Sequence, residues 1–200
     1  TINSMAKIRG NDDIVEIVQR ISRYFRSITV NTTRQFITCQ QEFDMLQDYT
    51  EIYRFIHGDR LKTTFSAKEA ARNALIPTMI LQPVVENALQ HGIRSQEEDS
   101  EIIVHAYVKE DRLNLTVKDT GYGLSPQMER KLQSGQIPSG RQGGIGLGNV
   151  RQRLRLIYGE DASLTISNRE EGGVVVHITI PLTYIEPDIL GSDDLDWDLE

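Results

Sequence analysis

Four stretches of this chain alternate apolar and polar residues with period two. Ile102, Val104, Ala106 and Val108 share one face of the first, and Leu113, Leu115 and Val117 share one face of the second. Leu164 with Ile166, then Val174, Val176, Ile178 and Ile180, repeat the pattern near the C-terminus, with Gly172-Gly173 as the turn between them. The opposite faces carry His105, Tyr107, Lys109, Asn114, Thr116, Lys118, Thr165, Ser167, His177 and Thr179. Successive strand side chains point to opposite faces, so these segments build a largely antiparallel sheet with one apolar side. Helices must cover that side. The expected fold is therefore α+β: a two-layer α/β sandwich whose mixed, mostly antiparallel sheet has helices on one face. Leu61, Thr63 and Phe65 alternate as a further short strand, and no internal repeat is evident.

Two helical stretches precede the sheet. Over 11–29, Ile14, Ile17, Ile21, Tyr24 and Ile28 form one narrow apolar stripe, with Asn11 or Asp12 as cap. Over 38–57, Cys39, Phe43, Leu46, Tyr49, Tyr53 and Ile56 lie on one side, and Asn31-Thr32-Thr33 reads as the turn between the two helices. A lone hairpin cannot hide this much apolar surface. Either the helices pack on their own domain or they join a dimeric bundle, and the narrow stripe favours the bundle. Another helix is expected from Pro77 to Gly92, with Pro83 inside it as a kink.

The chain has 200 residues, 38% of them hydrophobic and 26% charged, which suits one globular domain plus a smaller element. No apolar run approaches the roughly 18 residues that cross a bilayer, and no signal peptide is visible. The chain starts at Thr1 rather than Met, so a longer parent protein is expected. Its one cysteine, Cys39, excludes an internal disulfide and a multi-cysteine zinc site, and reads as a core residue in a reducing cytoplasm. The net charge of −7 is concentrated at the end: residues 184–200 hold seven acids and no Lys or Arg, so the body is neutral. No nucleic-acid surface is expected from such a balance.

Three short motifs carry the chemistry. Glu86-Asn87 lies in the helical stretch PVVENALQHG, Asp119-Thr120-Gly121-Tyr122-Gly123 follows a strand, and Gly143-Gly144-Ile145-Gly146-Leu147-Gly148-Asn149 opens a helix over 150–158. Asp119 is in register with Leu113, Leu115 and Val117, so its carboxylate points inward, where it needs a donor. The exocyclic amine of adenine is one, and Gly121 and Gly123 let backbone approach a flat ring. Asn87 and His91 share a helix face, with Glu86 and Gln90 about 100° away. An Asn oxygen is a hard ligand for Mg²⁺ bridging phosphates. Glu86 can orient a nucleophile or accept its proton, and His91 can reach phosphate oxygens. Residues 121–148 hold eight of the fifteen glycines and read as a mobile lid. Its end places backbone N–H groups where phosphate binds, with Arg151, Arg153 and Arg155 nearby. An Asp-Thr-Gly turn, a solvated Glu or a basic helix face is unremarkable alone; the specificity lies in their order. The set describes an ATP site that is neither a P-loop, since no Gly-Lys pair occurs, nor a dinucleotide fold.

These residues resemble the GHKL superfamily, which groups gyrase-type ATPases, a heat-shock chaperone, histidine kinases and MutL. Within it the chain looks like the LytS/YesM-type sensor histidine kinases: Glu86-Asn87 resembles their N box, Asp119-Thr-Gly-Tyr-Gly their first glycine box, and Gly144-Ile-Gly-Leu-Gly-Asn their second. LQPVVENALQHG, GIGLGNVRQRL and YTEIYRF also match, and the resemblance covers about residues 1–182. It implies three parts: a helical dimerisation region over 1–58, a GHKL ATP-binding domain over 59–183, and an acidic tail over 184–200. It implies ATP and Mg²⁺ as cofactors, with Asn87 the Mg²⁺ ligand through phosphates and Asp119 on adenine. Gly121, Gly123, Gly144, Ile145, Gly146, Leu147, Gly148 and Asn149 form the nucleotide loops, and Glu86 and His91 assist transfer. The γ-phosphoryl group is expected to pass to a histidine and then to an aspartate on a response regulator receiver domain. A homodimer through the N-terminal helices, in the cytoplasmic portion of a membrane-anchored protein, is implied as well.

Two departures stand out. The family's acceptor lies in a Pro-His-Phe-Leu-(Phe/Tyr)-Asn-Thr stretch, and Thr1-Ile2-Asn3-Ser4 resembles the residues immediately after that histidine, so the acceptor is expected upstream. Gln90 stands where the family often has Lys, which removes a phosphate contact. Two other readings stay open: a nucleotide-binding scaffold without chemistry, and a stand-alone GHKL ATPase or serine kinase.

Overall fold

The computed structural model of the chain describes residues 11–31, 33–58, 60–91, 99–133 and 145–184. Helix α1 (Asp12–Asn31) is followed by strand β1 (Phe36–Thr38), helix α2 (Cys39–His57), strand β2 (Leu61–Ala67) and the single turn α3 (Glu69–Arg72). Then come β3 (Leu75–Pro77), α4 (Gln82–His91), the hairpin of β4 (Ser100–Lys109) and β5 (Arg112–Asp119), and α5 (Pro126–Gln133). Helix α6 (Ile145–Tyr158), a 3-10 turn (Gly159–Asp161), β6 (Ser163–Asn168) and β7 (Val174–Pro181) complete the order. The tail over 185–200, residues 1–10 and the stretch 134–144, with Gly144, lie outside the described residues.

The main sheet runs β2-β4-β5-β7-β6. β2 pairs with β4 in parallel, and the other neighbours are antiparallel. The register sets Val104 opposite Val117 and Leu115 opposite Ile178, so the apolar side chains stack across strands on one face. Ile102, Val104, Ala106, Leu113 and Ile180 are fully buried there. Phe43 and Leu46 of α2, Val84, Val85 and Leu89 of α4, and Val150 and Leu154 of α6 close the same core. Truncating any of the large aliphatic members to Ala costs about 2–5 kcal/mol. The β4–β5 turn is two residues long, and Glu110 and Asp111 both have positive φ, 52° and 54°. That is the twist an antiparallel hairpin favours.

The N-terminal region is not a detached hairpin. β1 pairs antiparallel with β3, which brings Ile37 opposite Ile76, both buried. Cys39 N donates to the Ala74 carbonyl, and Leu75 N to that of Thr183. Thus β1 and α2 belong to the sandwich core. A capping box starts α2: the Thr38 hydroxyl accepts from Gln41 N, and the Gln41 side chain accepts from Thr38 N. Cys39 is buried in that core, and desolvation, followed by the nearby Glu42 charge, pushes its thiol up to about 12.

Helix α1 lies along α2. Tyr24 stacks on Tyr49 with ring centroids 5.6 Å apart, and Arg20 and Arg23 pair with Asp48 at the surface. Ile17 is buried, but Ile14 is exposed and its neighbour Val15 is buried instead, so the apolar stripe starts one residue later than its spacing predicts. Phe25 and Val30 also face solvent, at 62% and 52% exposure.

Three local expectations are corrected. Pro77 ends β3 rather than starting a helix, because its segment pairs with β1. α4 begins at Gln82, so Pro83 sits in its first turn, where a missing N–H costs nothing and the helix is not kinked. The lid is also shorter than expected: Pro126–Gln133 is helical, and α6 starts at Ile145, five residues before the expected helix. No helix among the described residues is long and apolar enough to cross a membrane.

Candidate nucleotide site

Asp119 ends β5 on the apolar side of the sheet and is buried at 7% exposure. Gly121 N and Val174 N donate to its Oδ1, at 2.9 and 3.2 Å. Both bonds fall on one oxygen, which leaves Oδ2 for a ligand. Burial raises the carboxyl above its usual range; the two backbone donors, Arg169 and His91 pull it back. Arg169 also donates to the Asp119 main-chain carbonyl. A buried carboxylate with one oxygen anchored and the other open is suited to a neutral N–H donor such as the adenine amine.

The backbone around Asp119 is closed by glycine. Gly173 has φ +85°, and a Cβ there would lie 2.1 Å from the Asp119 carbonyl oxygen and 3.0 Å from Oδ1. Gly123, at φ +80°, leaves room for Asn168, whose Oδ1 accepts from Leu124 N at 2.6 Å. The same amide donates to the Leu124 carbonyl and to Glu129, so β6 pins the loop after Asp119. Thr120 holds the other side, its hydroxyl accepting from Glu101 N at 2.9 Å. Tyr122 projects from this loop and is 74% exposed.

Helix α4 buries Val84, Val85, Ala88 and Leu89 and leaves Glu86 and Asn87 half-exposed. The Asn87 side chain has no hydrogen-bonding partner among the described residues, which leaves its amide oxygen available to a hard cation carried on phosphates. No group of three His, Cys, Asp or Glu side chains able to hold a metal occurs among the described residues. His91 closes the helix and is exposed, near enough to Asp119 to help pull that carboxyl down. Glu86 takes another direction: its Oε1 accepts from Gln82 Nε2 at 3.0 Å, and its charge acts on Tyr24 and Tyr49 of the helical pair.

Of the second glycine motif, Gly146 and Gly148 lie inside α6 rather than in a loop, while Gly143 and Gly144 lie outside the described residues. A Cβ on Gly146 would lie 3.3 Å from Pro83 Cβ, so this glycine lets α6 approach the start of α4. Leu147 is buried in the core, so its side chain packs and only its backbone remains for a ligand. Gly148 is half-buried and Asn149 exposed along the same first turns. Arg153 does not face a phosphate position: it donates to the Thr78 carbonyl at 2.5 Å and its charge acts on Glu42. Arg155 pairs with Glu160 at the surface.

Glu42 carries no motif, yet it organises the site from below. It is 1% exposed on α2, and its two oxygens accept from Met79 N at 2.8 Å and Leu81 N at 2.6 Å. Met79 has φ 58°, and the turn it makes leads directly into α4. Burial pushes the Glu42 carboxyl up to about 7, against the pull of these donors and of Arg153. The signal available in the sequence was one acid within the apolar face of α2, between Cys39 and Leu46.

Comparison with known proteins bears on the family and the fold. The family described as histidine kinase-, DNA gyrase B- and HSP90-like ATPase matches residues 74–184, and a histidine kinase family matches residues 1–61. The sensor histidine kinase YesM of Bacillus subtilis (strain 168) is 32% identical over 181 residues, 90% of this chain and 30% of that protein. The chain thus spans about 30% of the length of this relative. Among solved structures, the catalytic domain of histidine kinase ThkA superposes with a TM-score of 0.58 at 16% identity, covering 73% of this chain and 93% of that one. ThkA in complex with the response regulator protein TrrA gives a TM-score of 0.53 at 17% identity, over 86% and 50% of the two chains. The sandwich, the buried Asp119 in its glycine cradle and the family match lead to one assignment: the chain belongs to the histidine kinase-, DNA gyrase B- and HSP90-like ATPase family.

Proposed function

We propose that this chain is the catalytic region of a two-component sensor histidine kinase, using ATP to phosphorylate a protein histidine. The observation that carries the reading is Asp119, buried and anchored through one oxygen in a cradle closed by Gly173. Adenine lies against Asp119 with its amine donating to Oδ2, and the phosphates extend toward Asn87, His91 and the start of α6. Gly121, Gly123, Gly144, Ile145, Gly146, Leu147, Gly148 and Asn149 supply backbone around the nucleotide. Mg²⁺ on the phosphates, with Asn87 as its protein ligand, would offset charge on the departing oxygens.

Glu86 orients the acceptor imidazole and takes its N–H proton. The new N–P bond forms as the bond from the γ-phosphorus to the bridging oxygen breaks, and ADP departs. The phosphoryl group then passes to a response regulator aspartate. Exposed Phe25 and Val30 on α1 support a homodimer through the N-terminal region, and the parent protein is read as membrane-anchored with this part in the cytoplasm.

Calorimetric titration with Mg²⁺ and a non-hydrolysable ATP analogue tests the site. Binding by the wild type and strong loss in Asp119→Asn is expected. A folded wild type that binds no nucleotide would overturn the reading, whereas binding without any phosphohistidine formation would favour the nucleotide-binding scaffold.

A further inference from the structure

Gln82 opens α4 and lies one turn before Glu86. Its Nε2 donates to two acceptors on different elements: Glu86 Oε1 at 3.0 Å and the Tyr24 hydroxyl of α1 at 2.7 Å. A side-chain amide nitrogen carries two hydrogens, so one group serves both bonds. Turning the amide over would set its carbonyl oxygen against the Glu86 carboxylate, so the network itself fixes the orientation. Tyr24 is half-buried and stacked on Tyr49, which holds its hydroxyl in place.

We propose that Gln82 is the positioning residue for Glu86, and that Tyr24 makes this positioning depend on the seat of α1. The inference rests on the reading of Glu86 as the group that orients the acceptor histidine and takes its proton. Gln82 ties down Oε1 and thereby fixes the carboxylate plane, which leaves Oε2 directed at the incoming imidazole. When α1 shifts along α2, the Tyr24 bond is lost, the Gln82 amide is free to rotate, and Glu86 loses its fixed orientation. Nucleotide binding, which depends on Asp119 and the glycine segments, is untouched by that change. The kinase thereby reads the position of α1 at the chemical step rather than at ATP binding.

The test uses the full-length protein with its acceptor histidine, comparing Gln82→Met, Tyr24→Phe and Glu86→Gln, alone and combined. Phosphohistidine formation at saturating ATP should fall about tenfold in Gln82→Met and less in Tyr24→Phe, because a misoriented base forfeits part of its advantage. Affinity for an ATP analogue should stay within about twofold, a loss confined to the chemical step. In the Glu86→Gln background, Gln82→Met should have no further effect, which a purely structural loss would not reproduce. Unchanged phosphorylation in both Gln82→Met and Tyr24→Phe, with Glu86→Gln impaired, overturns the inference alone. A Gln82→Met loss that persists in full without the Glu86 carboxylate overturns it too. Full-rate phosphorylation by Glu86→Gln removes the role of Glu86, and the inference falls with it.

Discussion

Gly173 approaches Asp119 so closely that a Cβ on it would lie 2.1 Å from the Asp119 carbonyl oxygen. The β6–β7 turn is therefore part of the proposed nucleotide site, and its second glycine is required by contact as well as by its φ of +85°. Gly173→Ala should cost about 1–3 kcal/mol in strain and should weaken binding of an ATP analogue about tenfold or more as Asp119 is displaced. Thermal unfolding and calorimetric titration of the same preparation check both effects.

Asp119→Asn separates binding from folding. An asparagine oxygen still accepts from Gly121 N and Val174 N, but the second position becomes an NH₂ facing the adenine amine, donor against donor. Losing a hydrogen bond to a charged group costs about 1.5–3 kcal/mol, roughly 10- to 150-fold in affinity. The folded apoprotein should not suffer. Burial raises the Asp119 carboxyl, so its contribution to stability is complete below the unfolded value and is lost as pH rises through the folded one. At neutral pH the ionised form is a burden that Asn removes. Denaturant midpoints for wild type and Asp119→Asn at pH 7 should match or favour the variant.

Glu42 gives the protein a pH-dependent stability near neutrality. Its carboxyl moves from 4.5 up to about 7 on folding, so the stabilisation it supplies is complete below about 4.5 and disappears as pH rises through about 7. Urea midpoints should fall between pH 6 and pH 8, and the fall should be smaller in Glu42→Gln. That variant should also lose about 1–3 kcal/mol at both pH values, because its amide sets an NH₂ against Met79 N or Leu81 N.

Thr38→Ala tests whether the start of α2 matters to chemistry or only to folding. The variant removes the hydroxyl that accepts from Gln41 N at 3.2 Å, and a lost N-cap costs about 1 kcal/mol. Stability should drop by that amount in chemical denaturation, with affinity for the ATP analogue unchanged.

The sheet is legible in the sequence because period two leaves a strand one way to face a core. Ile102 to Val108 and Leu113 to Val117 fix their own burial, and with it the inward direction of Asp119. Helix ends are less legible. Pro77 is as acceptable at a strand end as in a first helical turn, and only the pairing of β3 with β1, distant in sequence, decides between them. Gly146 reads as loop because glycine disfavours helix; its actual reason, the nearness of Pro83, is tertiary. Arg153 looks like a phosphate ligand by spacing on its helix, yet the buried Glu42 draws it downward. The roles of Gln82 and Gly173 are equally invisible locally, since each depends on a residue more than thirty positions away.

The joining of β1 to β3 has a mechanical consequence. From Arg34 onward the chain is fastened to the sandwich, since the Arg34 and Gln35 carbonyls accept from the Thr78 hydroxyl and Thr78 N. Any swing of α1 therefore turns about its C-terminal end, with α2 held on the sandwich. The helix is a lever of about 30 Å, and Tyr24 lies only about 10 Å from that end at the same rise per residue. A displacement delivered at the far end thus reaches the Gln82 amide at about one third of its amplitude, so a motion of several ångströms arrives as one that a single hydrogen bond can register.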